Sequence, residues 1–252
     1  GNAMGGAINF ISASPDDETA ELRAGIGSYL QRGAGLAWRT RLQNGLGVTL
    51  SLGWRASDGY PGSDLVLKRA GPGATGTPVS GAIPTTTPDG QPRFLVGSMG
   101  KRPWWQGSGQ LALHYAPNDS LKLVLGGGWA EYETGYSRPA SYLKDAAGHP
   151  VFSGPVLVGN GAPPRLTLAE TDFFTLTPST ERDLRAFFRA EQSIGDDSLV
   201  RLNLATLRHR FRYTQAKAGV AGYDSGPGEL TDQPDTRIDI DLSLYTPISD
   251  RF

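Results

Sequence analysis

No cysteine occurs anywhere in the 252 residues, which excludes a disulfide framework and thiol chemistry. Net charge is nearly absent: 24 lysines and arginines against 25 acids leave a formal −1. A chain so balanced has no long-range field to draw a polyanion, and nucleic acid is not expected as a partner. Long apolar runs are missing too. No stretch approaches the roughly 18 apolar residues of a membrane helix, which argues against a helical membrane protein. Strands that cross a bilayer hide their apolar residues by alternation, so they are not excluded. Helical periodicity is essentially absent, and no basic leader with an apolar core is seen, so no signal peptide is expected here.

Groupings that carry chemistry are equally scarce. His114, His149 and His209 are scattered without ligand spacing, so no metal is expected. No Ser-His-Asp grouping or nucleophile elbow is present, and neither enzymatic activity nor a cofactor is expected. The glycines of residues 71–76 lack the Gly-Lys-Ser/Thr ending of a phosphate loop. Asp16-Asp17-Glu18 offers hard oxygen ligands that suit calcium, but reads more simply as a solvated acidic link.

What the chain does have is period-two alternation. In residues 19–29, Ala20, Leu22, Ala24 and Ile26 share one face and Glu21, Arg23, Gly25 and Gly27 the other. In 33–42, Leu36, Trp38 and Leu42 oppose Arg39 and Arg41; in 47–58, Val48, Leu50, Leu52, Trp54 and Ala56 oppose Thr49, Ser51, Gly53, Arg55 and Ser57. The pattern returns at Leu111, Leu113 and Tyr115, and again at Leu121, Leu123, Leu125 and Trp129. It recurs at Leu184, Ala186, Phe188 and Ala190, at Val200, Leu202 and Leu204, and at Ile238, Ile240, Leu242 and Leu244. About eight strands result, several near the roughly 10 residues a tilted membrane strand needs. Arg23, Arg39, Arg55, Arg189, Arg201 and Asp241 lie mid-strand on the polar face, where a dry core would penalise them unless paired. Two arrangements satisfy this: a soluble sheet with its charged face in water, or a barrel with its charged face in a wet lumen.

Link lengths help decide. Short links at 43–46, 116–119 and 195–197 alternate with long ones at about 59–106, 135–180 and 214–234. Compact soluble domains rarely hold several unstructured links beyond about 15 residues, whereas outer-membrane barrels do so systematically. The long links are rich in Gly, Pro, Ser and Thr and are expected to be loops. Trp54, Trp129 and Tyr115 fall at strand ends on the apolar face, as an aromatic girdle requires; Tyr29 and Tyr245 break the parity.

Residues 1–12, Gly-Asn-Ala-Met-Gly-Gly-Ala-Ile-Asn-Phe-Ile-Ser, read as a glycine turn feeding a short strand. They resemble the last plug strand of TonB-dependent outer-membrane receptors, whose signature is Gly-x-x-Ala-x-Gly-Gly-x-Ile-Asn-Ile-Ile; here Asn2, Ala3, Gly5, Gly6, Ile8 and Asn9 carry the match. A second likeness is Arg55, Ser57, Asp58, Gly59 and Tyr60, similar to the Arg-x-Ser-Asp-Gly-Tyr end of an early barrel strand in that family. The resemblance implies residues 1–15 as plug end and link, and 16–252 as the first part of an antiparallel transmembrane β-barrel of about 22 strands. It also implies short periplasmic turns, long extracellular loops and a Gram-negative cell outer membrane. Lipid and lipopolysaccharide would be neighbours. TonB would act through an N-terminal plug segment outside this chain, and the intact receptor would take up a ferric siderophore or corrinoid. The chain is then expected to be truncated at both ends. The alternative is a complete eight-stranded barrel with a structural or adhesive role; a carbohydrate-binding sandwich is a third option.

Candidate ligand residues lie where long links rejoin strands. In Lys101-Arg102-Pro103-Trp104-Trp105, Arg102 beside Trp104 and Trp105 suits a flat anionic ligand, or anchors a loop at the interface. Tyr136, Arg138 and Tyr142 carry the same ambiguity. Tyr60 joins them because, in the family resembled, external aromatics and arginines first capture the ligand. The basic, aromatic run 208–213 reads as a rim of charge or a contact for lipid phosphate.

Overall fold

The computed structural model describes residues 15–60, 64–159, 164–174, 178–195, 197–216 and 228–246. The plug-like motif, including Asn2, Ala3, Gly5, Gly6, Ile8 and Asn9, lies outside them. Fifteen strands are present: β1 (Thr19–Gly27), β2 (Gln31–Arg41), β3 (Gly47–Ser57), β4 (Leu65–Lys68), β5 (Thr77–Val79), β6 (Ile83–Thr86), β7 (Pro92–Ser98), β8 (Trp104–Asn118), β9 (Leu121–Thr134), β10 (Ala140–Ser141), β11 (Gly154–Val158), β12 (Arg165–Leu168), β13 (Ser179–Ile194), β14 (Ser198–Ala216) and β15 (Gly228–Tyr245). Among the described residues there is no α-helix, only two three-residue 3-10 turns.

The eight long strands form one antiparallel sheet in the order β1-β2-β3-β8-β9-β13-β14-β15, a meander as the alternation predicts. Opposed residues in an antiparallel pair share a face, so the register tests the parity directly. Leu22 faces Leu36, Leu36 faces Leu52, Leu50 faces Leu111 and Leu113 faces Leu125. Farther along, Leu125 faces Phe188, Phe188 faces Leu204 and Leu204 faces Ile240. One aliphatic face therefore runs unbroken across all eight strands. The other carries Arg23, Arg55, Ser108, Gly128, Arg185, Asn203 and Asp241.

Among the described residues the sheet does not close: β1 and β15 each have a neighbour on one side only, so it is an open sheet rather than a complete eight-stranded barrel. Among the described residues nothing stacks on its aliphatic face either: Ile26 is 94% exposed, Leu22 79% and Ile240 73%. This is not the sandwich arrangement, in which two sheets bury their apolar faces against each other.

Charges on the polar face are knitted across strands. Arg201 pairs with Glu191 at 2.7 Å, while Arg189 donates to Asn203 at 2.9 Å and Asn203 to Asp241 at 3.1 Å. Tyr245 breaks the sequence parity because it sits on this face, 5.4 Å beneath the Arg201 guanidinium. At β1 to β3 and β8 a cleft of about 860 Å³ has a lining that includes Arg23, Gly25, Gly35, Arg55 and Ser108 of the polar face.

The short links are tight turns on one side of the sheet, and the long ones leave from the other. The first hairpin turns on Tyr29 and Leu30, both at positive φ (57° and 53°), a geometry usually given to Asn or Gly. The acidic stretch before β1 is not merely solvated: Asp16 pairs with Arg41 at 2.5 Å and Glu18 accepts from Thr40 at 3.0 Å.

The main departure from expectation lies in the long links. Read as loops, 59–106 and 135–180 instead carry β4 to β7 and β10 to β12. β7 pairs with β4 and β6 of its own link and with β10 of the other, while β5 runs parallel to β11 across the links. Together they build a cap with a buried cluster of Val66, Val96, Leu143, Val156, Val158, Leu166, Leu168 and Phe173. Each strand is too short to show a period, and the pairing is between distant segments, so the pattern is invisible along the chain.

Candidate functional site at the junction of sheet and cap

The two links meet the sheet through a small set of contacts. Lys101 and Ser137 exchange backbone hydrogen bonds at 2.9 Å. Gly59, at φ +78°, lies so close to Arg102 that a Cβ there would sit 2.3 Å from its backbone. Only glycine meets both demands, the left-handed φ and the close approach. Tyr60, next along, stacks edge-on against Tyr29, with centroids 5.1 Å apart. Arg102 lies 5.5 Å above the Tyr136 ring, a cation–π contact. Burial holds the Tyr136 phenol above its usual pKa; the Arg102 charge opposes this, while Asp64 and its hydrogen bond reinforce it.

Of the sequence candidates, Tyr60, Arg102 and Tyr136 therefore converge. Arg138 joins them through its backbone, which closes over Gly100, itself at φ +91°. Tyr142 does not: its backbone donates to Val96 at 2.9 Å, inside the cap. Trp104 and Trp105 do not form the paired stacking surface expected of neighbours. Consecutive strand residues point to opposite faces, and Trp104 takes the polar face, 6.4 Å from Tyr132. Trp105 takes the aliphatic face, level with Ala56. Only Trp104 can contribute to a site on the polar side.

The sequence reading missed a second group on that side. Glu181 and Asp183 alternate onto the polar face of β13, and His209 of β14 stands directly opposite Asp183. His209 Nδ1 lies 2.8 Å from Asp183 Oδ1 and 4.0 Å from Glu181 Oε1. These three residues offer ligand atoms all within 4.8 Å of one another. A cleft of about 250 Å³ beside them is lined by Gln106, Tyr132, Glu181 and Asp183 among others. The signal was present: the tight turn at 195–197 sets the hairpin register, and counting back equally from it brings His209 to Asp183.

The run 208–213 divides by parity. Arg208, Arg210 and Arg212 fall on the face that carries Leu202 and Leu204, and His209, Phe211 and Tyr213 on the other. Arg210 pairs with Asp232 at 2.5 Å and Arg212 with the same carboxylate at 3.3 Å.

No family model, curated protein or solved structure matches the chain.

Proposed function

We propose that the eight-stranded sheet is part of the wall of an outer-membrane β-barrel in a TonB-dependent receptor, and that the intact receptor takes up a siderophore-bound metal or a corrinoid. The observation that carries this reading is the uncovered aliphatic face. An exposed apolar area spanning a whole sheet is untenable in water, where monomers rarely show patches beyond a few hundred Å². Against hydrocarbon it is what the solvent demands.

Three further features support it. The aliphatic face is bounded on the cap side by charge: beyond Leu184 and Trp129 come Arg182 and Glu131, paired at 2.8 Å, and beyond Leu204 come Arg208, Arg210 and Arg212. Such a boundary suits the headgroup layer, where lipopolysaccharide phosphates would sit. Trp54 and Trp129 lie on the aliphatic face toward the same side, as an aromatic girdle does. The unpaired edges of β1 and β15 expose backbone groups that hydrocarbon cannot satisfy, which favours a larger closed wall over an eight-stranded one. On this reading the cap is extracellular, and Tyr60, Arg102, Trp104 and Tyr136 face arriving ligand.

The test is refolding of the chain with and without detergent micelles. Strand-rich, protease-resistant protein is expected only with detergent, and aggregate without it. A detergent-free monomer that unfolds cooperatively would overturn the proposal.

A further inference from the structure

We propose that Glu181, Asp183 and His209 form a binding site for a divalent transition-metal ion such as Zn(II). The backbone sets the geometry. Glu181 and Asp183 are two residues apart on one strand and so emerge on the same face. His209 is the cross-strand partner of Asp183, at the spacing where side chains of a pair meet. One imidazole and two carboxylates suit zinc, nickel or copper better than calcium, which takes oxygen ligands alone. Ligand atoms lying within 4.8 Å of one another need only small rotamer shifts to converge on one ion, with water completing the shell.

Charge around the cluster points the same way. Elsewhere on the polar face Glu191 is neutralised by Arg201, and Asp239 by Arg237 at 2.8 Å. Among the described residues, Glu181 and Asp183 pair with no arginine or lysine. Arg185, two residues on, turns instead to Gln110. Asp235, the other cross-strand partner of His209, adds a third carboxylate that among the described residues pairs with no arginine or lysine, and it can orient the imidazole. A local excess of negative charge held on two hydrogen-bonded strands is an attractive seat for a dication. The cleft beside it, lined by Gln106 and Tyr132, leaves the metal an open side for water or a chelated ligand.

The site needs no membrane to exist, so its test does not depend on the transport reading. The chain, in whichever medium keeps it monomeric, is titrated with ZnCl2 and separately with CaCl2 by calorimetry. Cobalt(II) absorption serves as a second readout of nitrogen-containing ligation. One equivalent of zinc is expected to bind at least tenfold more tightly than calcium. His209→Gln keeps a donor toward Asp183 but removes the imidazole; it and Asp183→Asn are each expected to weaken zinc at least tenfold, with the strand content of the wild type. Asp239→Asn, outside the cluster, is expected to leave zinc binding unchanged. The proposal is overturned if the wild type binds no zinc, if His209→Gln binds it equally well, or if calcium competes on equal terms.

Discussion

At the residue scale, two glycines explain how Trp129 lies flat on the aliphatic face. A Cβ at Gly109 would sit 2.7 Å from the indole nitrogen, and one at Gly107 2.9 Å from the ring's far edge. The missing side chains leave a shallow seat into which the neighbouring strand's tryptophan folds, covering backbone that glycine would expose. Gly109→Val is expected to lift the indole and destabilise the sheet by about 1–3 kcal/mol, read as a shift in tryptophan emission and a lower unfolding midpoint. In the cap, Asp172 accepts from Lys68 at 2.7 Å and from the Ala169 amide at 2.8 Å, with both side chains about a quarter exposed. Asp172→Ala leaves the lysine without its partner, and a loss of about 1–2 kcal/mol is expected after allowance for solvent. Faster hydrogen exchange at the Val66 and Val96 amides would report it. Tyr136 gives a pH signature. Because its phenol is held above the ordinary value near 10, the folded state binds that proton more tightly, and its contribution is lost as pH rises past 10. In a titration followed at 295 nm, Tyr136→Phe is expected to remove a tyrosine that ionises above the ordinary value.

The strands themselves decide between media. If the aliphatic face meets lipid, Leu202→Arg is expected to cost about 2–4 kcal/mol of folding free energy in bilayers, while Ala205→Arg, on the same strand but facing the polar side opposite Asp239, changes little. Equal costs at the two positions would contradict the assignment of faces. This parity was fully legible in the sequence, since alternation over eight strands fixes which side each residue takes. Two things were not. Trp104 and Trp105 looked like one binding surface because adjacency in sequence suggests adjacency in space, which a strand reverses. The Glu181, Asp183 and His209 grouping crosses two strands, so no spacing along a single segment displays it, and it is read only by counting back from the turn at 195–197. The cap was illegible for a different reason: segments of two to seven residues carry no period, and their pairing is set by partners far along the chain, as Val79 opposite Val158 shows.

At the scale of the whole molecule, apolar burial is divided unequally. The cap has a closed core with Leu143, Val156, Leu166 and Phe173 fully buried, whereas among the described residues the far larger sheet has no second layer over either face. Stability in water would then reside in the cap, and the sheet would depend on its surroundings. On the receptor function proposed above, Arg102→Ala in the whole protein, which removes the cation over Tyr136, is expected to weaken ligand capture about tenfold while leaving protein abundance unchanged, measured as uptake against immunoblotted protein. The cap also has a mechanical consequence. Because β5 of the first link is spliced beside β11 of the second, and β10 of the second beside β7 of the first, neither link can lift away by itself. A protease that severs either one should leave both pieces travelling as a single particle on a native gel, parting only when the protein is denatured.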